Sequence, residues 1–373
     1  MRQNITCPQK QKTRSPKARM KSESITIGMD VGDKTSRLCL LNSHGEVVKE
    51  GSVATTKKAL PQMFGAMRRC RIAIEAGAHS GWISRLLSGL GHEVIVANAR
   101  QVRLISQSSR KDDRVDAQTL ARLARADPEL LRPIRHRGER AQEHLTAIRV
   151  RAALVEARTA LINGARGLVK LFGERLAGCD AGQVRVELLE PLPAGLQLAL
   201  RPMIEEVESL TERIKASDRM IEQIAREHYP ETELLRQVSG VGTLIALTYV
   251  LTVDDPWRFR KSRDVGCYVG LRPKRSQSGE SQPQLRITKE GDRYLRGLLM
   301  QGAHYILGWR GPDTDLRRWG MQLAARGGKN AKKRAIVAVA RKLAVLLHKL
   351  WTTAEVYEPL RNSQARPPHP AVA

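Results

Sequence analysis

"SITIGMDVG", residues 24–32, decides the reading of the N-terminal half. Ile25, Ile27 and Met29 alternate with small or polar residues, the period of a strand with one buried face. Two further strands follow, "SRLCLLN" (36–42) and "EVVKEGSV" (46–53), joined by the turn "SHG". "KKALPQMFGAMRRC" (57–70) has helical spacing, with Pro61 confined to a first turn. "RIAIEAG" is a short buried strand, "SGWISRLLSGLG" a helix stopped by Gly91, and "HEVIVAN" another strand before a helix at "DRVDAQTLARLA". Three strands, then helix, strand, helix, strand, helix predict an α/β layer built on a mixed sheet.

The chain is 373 residues long, enough for two or three domains, and 41% hydrophobic, as a globular protein is. It carries 64 Lys and Arg against 38 Asp and Glu, a formal charge of +26. Such an excess points to a polyanion partner, nucleic acid first, with a ribosomal or membrane-surface role as the alternative. Aromatics are only 4%, which argues against a surface that reads single strands mainly by stacking. The five cysteines are scattered without a C-x-x-C pair, so neither a disulfide framework nor a zinc site is expected, and a reducing cytoplasm fits. No apolar run is long enough for a membrane span. Residues 1–23, basic and containing two prolines, read as a disordered arm lying on phosphates. Residues 363–373 read as a loose tail.

Residues 24–133 are therefore expected to form the α/β domain. From 134 to 232 the pattern becomes long, periodic and helical. "ERAQEHLTAIRVRAALVEARTALINGARGLVKLF" is followed by a Gly- and Pro-containing break, then by a helix beginning at Met203. In that helix Met203, Val207, Leu210, Ile214 and Ile221 approach heptad spacing. Two such helices predict an antiparallel pair, either a coiled-coil dimerisation arm or an ordinary helical core. Residues 233–362 form a third, mostly α region. It ends in "KKRAIVAVARKLAVLLHKLW", where Ile336, Val339, Leu343, Leu346 and Leu350 make one stripe.

Four carboxylates stand out. Asp30 and Glu75 end strands, where α/β sheets gather their chemistry. Asp113 and Asp116 are three apart and share a helix face. If that helix covers the sheet edge, the four converge. Converging carboxylates repel unless divalent cations lie between them, and all-oxygen ligands suit Mg²⁺ or Mn²⁺. Paired ions of this kind are a standard device for cutting a phosphodiester. Taken singly, Asp113 reads as a solvated helix residue and Asp112 as a helix N-cap; Asp112 or Asp113 can be the one that faces the metal.

"IGMDVGDKTSRLCLLNSHGEVV" is similar to the first phosphate loop of sugar kinases and actin-like ATPases, but no later Gly-rich phosphate loop follows. "GMD", "IEAGAHSGW" and "KDDRVDAQTLARL" instead resemble the RuvC-like, RNase H-like domain of the DEDD-type insertion-sequence transposases of the one-ten group, related to the pilin-gene inversion recombinase. The third motif of that family is K-T-D-x-x-D-A; here it runs Lys111 to Ala117, with Asp112 in place of Thr. The resemblance extends to the C-terminal half, in G-L-x-P (270–273), S-G (278–279) and I-x-K-x-G-x-x-x-L-R (287–296), and covers nearly all of residues 24–360.

The resemblance implies a DNA transposase or recombinase whose acids Asp30, Glu75, Asp113 and Asp116 hold the metal. It implies Ser278 as a nucleophile forming a phosphoserine–DNA linkage in a composite site with those acids. It further implies a structured noncoding guide RNA. Recombination of four strands suggests a homo-oligomer, dimer or tetramer, and a cytoplasmic, nucleoid-associated place is expected. The residues alone say less. "SQSGESQ" is a polar loop, Ser276 and Ser281 rival Ser278, and a serine hydroxyl needs activation. Arg272, Lys274, Arg275, Arg286, Lys289, Arg293 and Arg296 surround it as phosphate contacts would, and Gly279 permits close approach of DNA. "LRQVSGVGTLIALTYVL" resembles a helix-hairpin-helix, in which Gly240 and Gly242 offer backbone N–H groups to phosphate; a tight helix junction is the alternative. A metal-dependent junction nuclease in which water attacks remains the alternative chemistry.

Overall fold

The computed structural model describes residues 25–98, 113–283 and 285–364. The chain divides into two compact units, residues 1–139 and 140–373. Both arms of the expectation that fall at the termini, 1–23 and most of 363–373, lie outside the described residues, as does Asp112.

The N-terminal unit is built on strands β1 (Thr26–Asp30), β2 (Thr35–Leu41), β3 (Val47–Ala54), β4 (Arg71–Glu75) and β5 (Glu93–Ala97). Helices α1 (Ala59–Phe64), α2 (Ser80–Gly89) and α3 (Asp113–Ala126) complete the expected order. The sheet order is β3-β2-β1-β4-β5. β1, β2 and β3 pair antiparallel, and β1–β4 and β4–β5 pair parallel. The mixed sheet is thus as expected, but α1 stops at Gly65 instead of reaching Cys70.

Strand alternation sorts the sheet into two faces. Ile27, Met29, Leu38, Ile72, Ile74 and Val96 point to one, where they pack with Leu60, Phe64, Ile83 and Leu87 of α1 and α2. Gly28, Cys39, Leu41, Ala73 and Ile95 point to the other, under α3. The contact there is unusually close. A Cβ on Gly28 would lie 1.9 Å from the Ala117 carbonyl oxygen and 2.5 Å from the Ala121 nitrogen. Ala117, Ala121 and Ala124 are fully buried, and their small side chains let the helix axis descend onto β1. Arg71, at the start of β4, donates to the Ala124 carbonyl at 3.1 Å. The C-terminal end of α3 therefore sits over the start of the strands, and its N-terminal end over their finish.

In the C-terminal unit, α4 (Glu139–Lys170) and α5 (Ala194–His228) run antiparallel. Arg140 meets His228, Arg151 binds Asp218 at 2.8 Å and Arg158 reaches Thr211 at 3.2 Å, so each step forward on α4 matches a step back on α5. α5 begins at Ala194, earlier than Met203, and carries Pro202 inside it. The carbonyl that Pro202 leaves without an intrahelical donor belongs to Leu198, which is 74% exposed and open to water. The rest is α6 (Glu231–Arg236), α7 (Thr243–Val253), α8 (Val265–Tyr268), α9 (Arg293–Leu307), α10 (Asp315–Ala325), α11 (Ala331–Thr353) and α12 (Arg361–Gln364). Their core gathers Tyr249, Leu295, Leu299, Val339, Leu343 and Leu347, which includes the stripe expected on α11. Among the described residues no helix is long and apolar enough to cross a membrane.

Gly28→Ala is expected to lower the stability of the N-terminal unit by about 3 kcal/mol, because both clashing atoms are backbone and the overpacking cannot be relieved by a rotamer. The unfolding midpoint of that unit, followed by limited proteolysis against denaturant, checks this; a change within about 0.5 kcal/mol would mean that α3 does not seat on β1.

Candidate active site

Asp30 is the last residue of β1 and Glu75 the last of β4. The parallel register pairs Met29 with Ile74, so the two acids stand one step further along adjacent strands. By alternation from Gly28 and Ala73, both lie on the α3 face. Asp113 is the first residue of α3, and Asp116 immediately precedes the Ala117 that rests on Gly28. The N-terminal turn of α3 is thereby carried over the strand ends that hold Asp30 and Glu75.

Electrostatics agree with this placement. Burial pushes the Glu75 carboxyl above its ordinary range, and the negative charge of Asp116 pushes it further. Asp30, Glu75 and Asp116 are all half-buried. Among the described residues no group of three or more His, Cys, Asp or Glu side chains has metal-holding spacing, and the Asp113 side chain lies outside them. The donor chemistry nevertheless suits a hard cation. Every donor is a carboxylate oxygen, and like charges in a partly desolvated site are relieved by a divalent ion between them.

Three neighbours escaped the sequence reading. Arg37 of β2 lies opposite Asp30 in the antiparallel register, on the same sheet face, a pairing that the hairpin at "SHG" determines. His79 joins the loops that follow β1 and β4: its Nε2 lies 3.0 Å from Asp33 Oδ1. Trp82 donates its indole N–H to His79 Nδ1 at 3.1 Å, so the neutral ring carries its proton on Nε2, facing Asp33. Ser80 is held by Gly77 and by His136 Nε2 at 2.9 Å, and burial keeps His136 below the usual histidine range. No motif in the sequence marks Arg37; His79, Ser80 and Trp82 stand inside "EAGAHSGW" without any sign of whom they touch.

Ser278 occupies a different setting, in the C-terminal unit. Residues 270–283 and 285–289 form an irregular two-stranded ribbon. Lys274 N–H donates to the Arg286 carbonyl and Thr288 N–H to that of Arg272, each at 2.9 Å. At its tip Ser278 and Ser281 exchange backbone bonds of 3.3 and 3.1 Å around Gly279, whose φ is +55°. Arg272, Lys274, Arg275, Ser276, Ser278, Ser281, Arg286 and Lys289 are all exposed along it. Arg293, exposed, opens α9.

The base of the ribbon is closed by backbone against backbone. A Cβ on Gly270 would lie 2.0 Å from the Glu290 carbonyl oxygen, and one on Gly291 2.0 Å from that of Tyr268. Arg296 is 8% exposed and donates to the carbonyls of Val269 and Glu290, so it braces this base from inside, away from any surface strand. Gly240 makes the positive-φ turn between α6 and α7 but faces inward, against the Gly302 carbonyl and Tyr305. Gly242 caps α7 with open space around it.

Comparison with known proteins places both halves of the chain among transposases. Residues 27–173 match a family described as "Transposase", of the DEDD type, and residues 232–316 match "Transposase IS116/IS110/IS902 family". A "Probable family 20 transposase" of Pseudomonas aeruginosa is 30% identical over 342 residues, 89% of this chain and 98% of that protein. The "Transposase for insertion sequence element IS1111A" of Coxiella burnetii is 30% identical over 89% of this chain and 90% of its own length. The "Transposase for insertion sequence element IS1328" of Yersinia enterocolitica is 26% identical over 336 residues.

The raised Glu75 carboxyl yields a pH prediction for the protein freed of divalent cations. Folded Glu75 keeps its proton to higher pH than the unfolded chain does. Its contribution to stability is therefore complete below the unfolded value, about 4.3, and declines as pH rises through the folded value. Glu75→Gln should be more stable than the parent at neutral pH and equal to it below about pH 4. Chemical denaturation across pH checks this; a parent that is the more stable at neutral pH would show that Glu75 is held as a favourable anion.

Proposed function

The chain belongs to the IS110 family of DEDD insertion-sequence transposases, and from that membership we propose that it cuts and rejoins DNA strands through a serine-linked intermediate. The observation that carries this reading is the pairing of two features: carboxylates gathered at the strand ends under α3, and a serine presented at the tip of a basic ribbon. The N-terminal unit is read as RNase H-like, from its strand order with the acids at the ends of the first and fourth strands.

Asp30, Glu75, Asp113 and Asp116 would hold Mg²⁺ or Mn²⁺, which supplies charge neutralisation at a phosphodiester. The α3–β1 contact holds the acid-bearing turn over the strand ends, so that the donors are preorganised. The hydroxyl oxygen of Ser278 attacks phosphorus, forming a P–O bond to serine. The bond to one strand oxygen breaks, that oxygen takes up a proton, and the serine proton passes to solvent or a nearby base. One phosphodiester is exchanged for another, so rejoining by the reverse attack needs no ATP. Arg272, Lys274, Arg275 and Arg286 on the ribbon, with Lys289 and Arg293 at its base, neutralise the DNA backbone, and Gly279 leaves room beside the serine. Gly242 offers a backbone N–H at the start of α7. A noncoding RNA pairing with donor and target DNA, and a homo-oligomer in which the α4–α5 arm joins protomers, complete the proposal.

Labelled DNA carrying the element's ends, mixed with the protein, Mg²⁺ and RNA transcribed from its flanks, should remain attached to the parent protein under denaturing conditions. Ser278→Ala should lose the adduct altogether. Asp113→Asn should lose at least about 10³-fold in recombination while holding DNA as tightly as the parent. Cleavage without any adduct would replace the serine with water and leave a metal-dependent nuclease.

A further inference from the structure

The C-terminal unit contains a groove of about 1260 Å³ between the base of the serine ribbon and helices α10 and α11. Its floor is apolar: Leu271, Leu285 and Ile287 come from the ribbon, Trp319 and Leu323 from α10, and Val337 from α11. Its rim is basic. Eight of the twenty lining residues are Lys or Arg and none is Asp or Glu, so the groove favours a negatively charged occupant. Lys329, Lys333 and Lys342 are exposed, and Lys342 Nζ stands 4.0 Å above the Trp319 ring. Burial lowers the Lys342 pKa against the opposing pull of Asp315.

An apolar floor inside a cationic rim discriminates among anions. A DNA duplex turns its bases inward and presents only phosphate and sugar to such a surface, leaving the floor unused. An unpaired strand offers both charge and flat apolar faces. The volume exceeds the ~300–1,000 Å³ of small-molecule pockets. The chain's own N-terminal segment, with Lys and Arg from Arg2 to Lys21, has the wrong sign for the rim. One wall is the ribbon that carries Ser278, which favours DNA as the strand.

We infer that this groove receives an unpaired DNA strand, its phosphates along the Lys and Arg rim and its bases against the Trp319–Val337 floor. The inference rests on the DNA-rejoining reading above and extends it: the strand leaving the ribbon is held single while the exchange takes place. Ser278 is not among the residues that line it.

The test uses the full-length protein and a fluorescent oligonucleotide of about 15 nucleotides, offered as single-stranded DNA, as duplex DNA and as single-stranded RNA. Anisotropy is followed against salt for the parent, for Lys329→Ala with Lys333→Ala, and for Leu285→Ser. The rim variant should weaken single-stranded DNA by about tenfold at about 150 mM salt, with a log–log salt slope shallower by about 1.4. Leu285→Ser should weaken it about threefold without changing the slope, since it removes an apolar contact and no charge. Duplex affinity should stay within about twofold in both. Leu285 is 37% exposed and the two lysines are exposed, so all three changes leave the core intact. Equal weakening of duplex and single strand would reduce the groove to a general basic surface and overturn the inference. Tighter RNA than DNA binding, lost in the same variants, would assign the groove to RNA and overturn it too. Competition by poly-glutamate but not by DNA would make the occupant an acidic protein segment. Covalent capture on the same proteins separates this result from the serine chemistry: adducts that persist while the variants bind normally refute the groove alone, and absent adducts in the parent refute the serine alone.

Discussion

The backbone contact between α3 and β1 at Gly28 is the constraint on which the N-terminal unit turns. Ala117 and Ala121 sit on a residue that has no side chain, at separations that a single added carbon would violate. That contact does two things at once. It lowers the helix onto the sheet, burying Cys39, Leu41 and Ala73 beneath it. It also brings Asp116 beside Glu75, whose carboxyl is pushed up first by burial and then further by the Asp116 charge. A helix seated a few ångström higher would separate the acids and leave them ordinary surface carboxylates. The tight fit in the core and the charge of the site are therefore one feature seen from two sides.

The C-terminal unit repeats the device in another form. Gly270 and Gly291 press backbone on backbone at the root of the ribbon, with the buried Arg296 tying the Val269 and Glu290 carbonyls together. Arg149 of α4 reaches Asp292, which also caps α9 through the Leu295 N–H, and lies over the Tyr294 ring. The long helical pair, the start of α9 and the root of the ribbon are thus held in one hydrogen-bonded cluster. A serine on an exposed tip gains a defined bearing from such a root; among the described residues its own loop makes the two backbone bonds between Ser278 and Ser281.

Basic charge has two settings in this unit. Along the ribbon, Arg272, Lys274 and Arg275 face solvent, where they attract any polyanion and favour no particular structure in it. In the groove the same charge surrounds Leu271, Ile287 and Trp319. There apolar surface accompanies the cations, and that combination can tell an unpaired strand from a duplex.

Much of this was legible in the residues. Strand alternation at Ile25–Met29, the turn "SHG" and the helix stop at Gly91 were enough to order the elements of the sheet, because a period of two and a local turn are properties of neighbouring residues. The four acids were legible as candidates for the same reason, Asp30 and Glu75 standing at strand ends and Asp113 and Asp116 sharing one helix face. What neighbouring residues do not contain is distance across the chain. That Gly28 is a seat for α3, that Arg37 lies opposite Asp30, that Trp82 sets the His79 proton toward Asp33, and that Arg296 and Gly240 turn inward all depend on contacts between segments remote in sequence. The sequence by itself determined the order of elements and the excess of cations, and offered the acids as candidates, since these follow from local period, composition and motif. Tertiary structure alone decided which acids repel, which arginine is buried and where apolar surface meets basic charge, since burial and field strength arise only once distant segments exclude water between them.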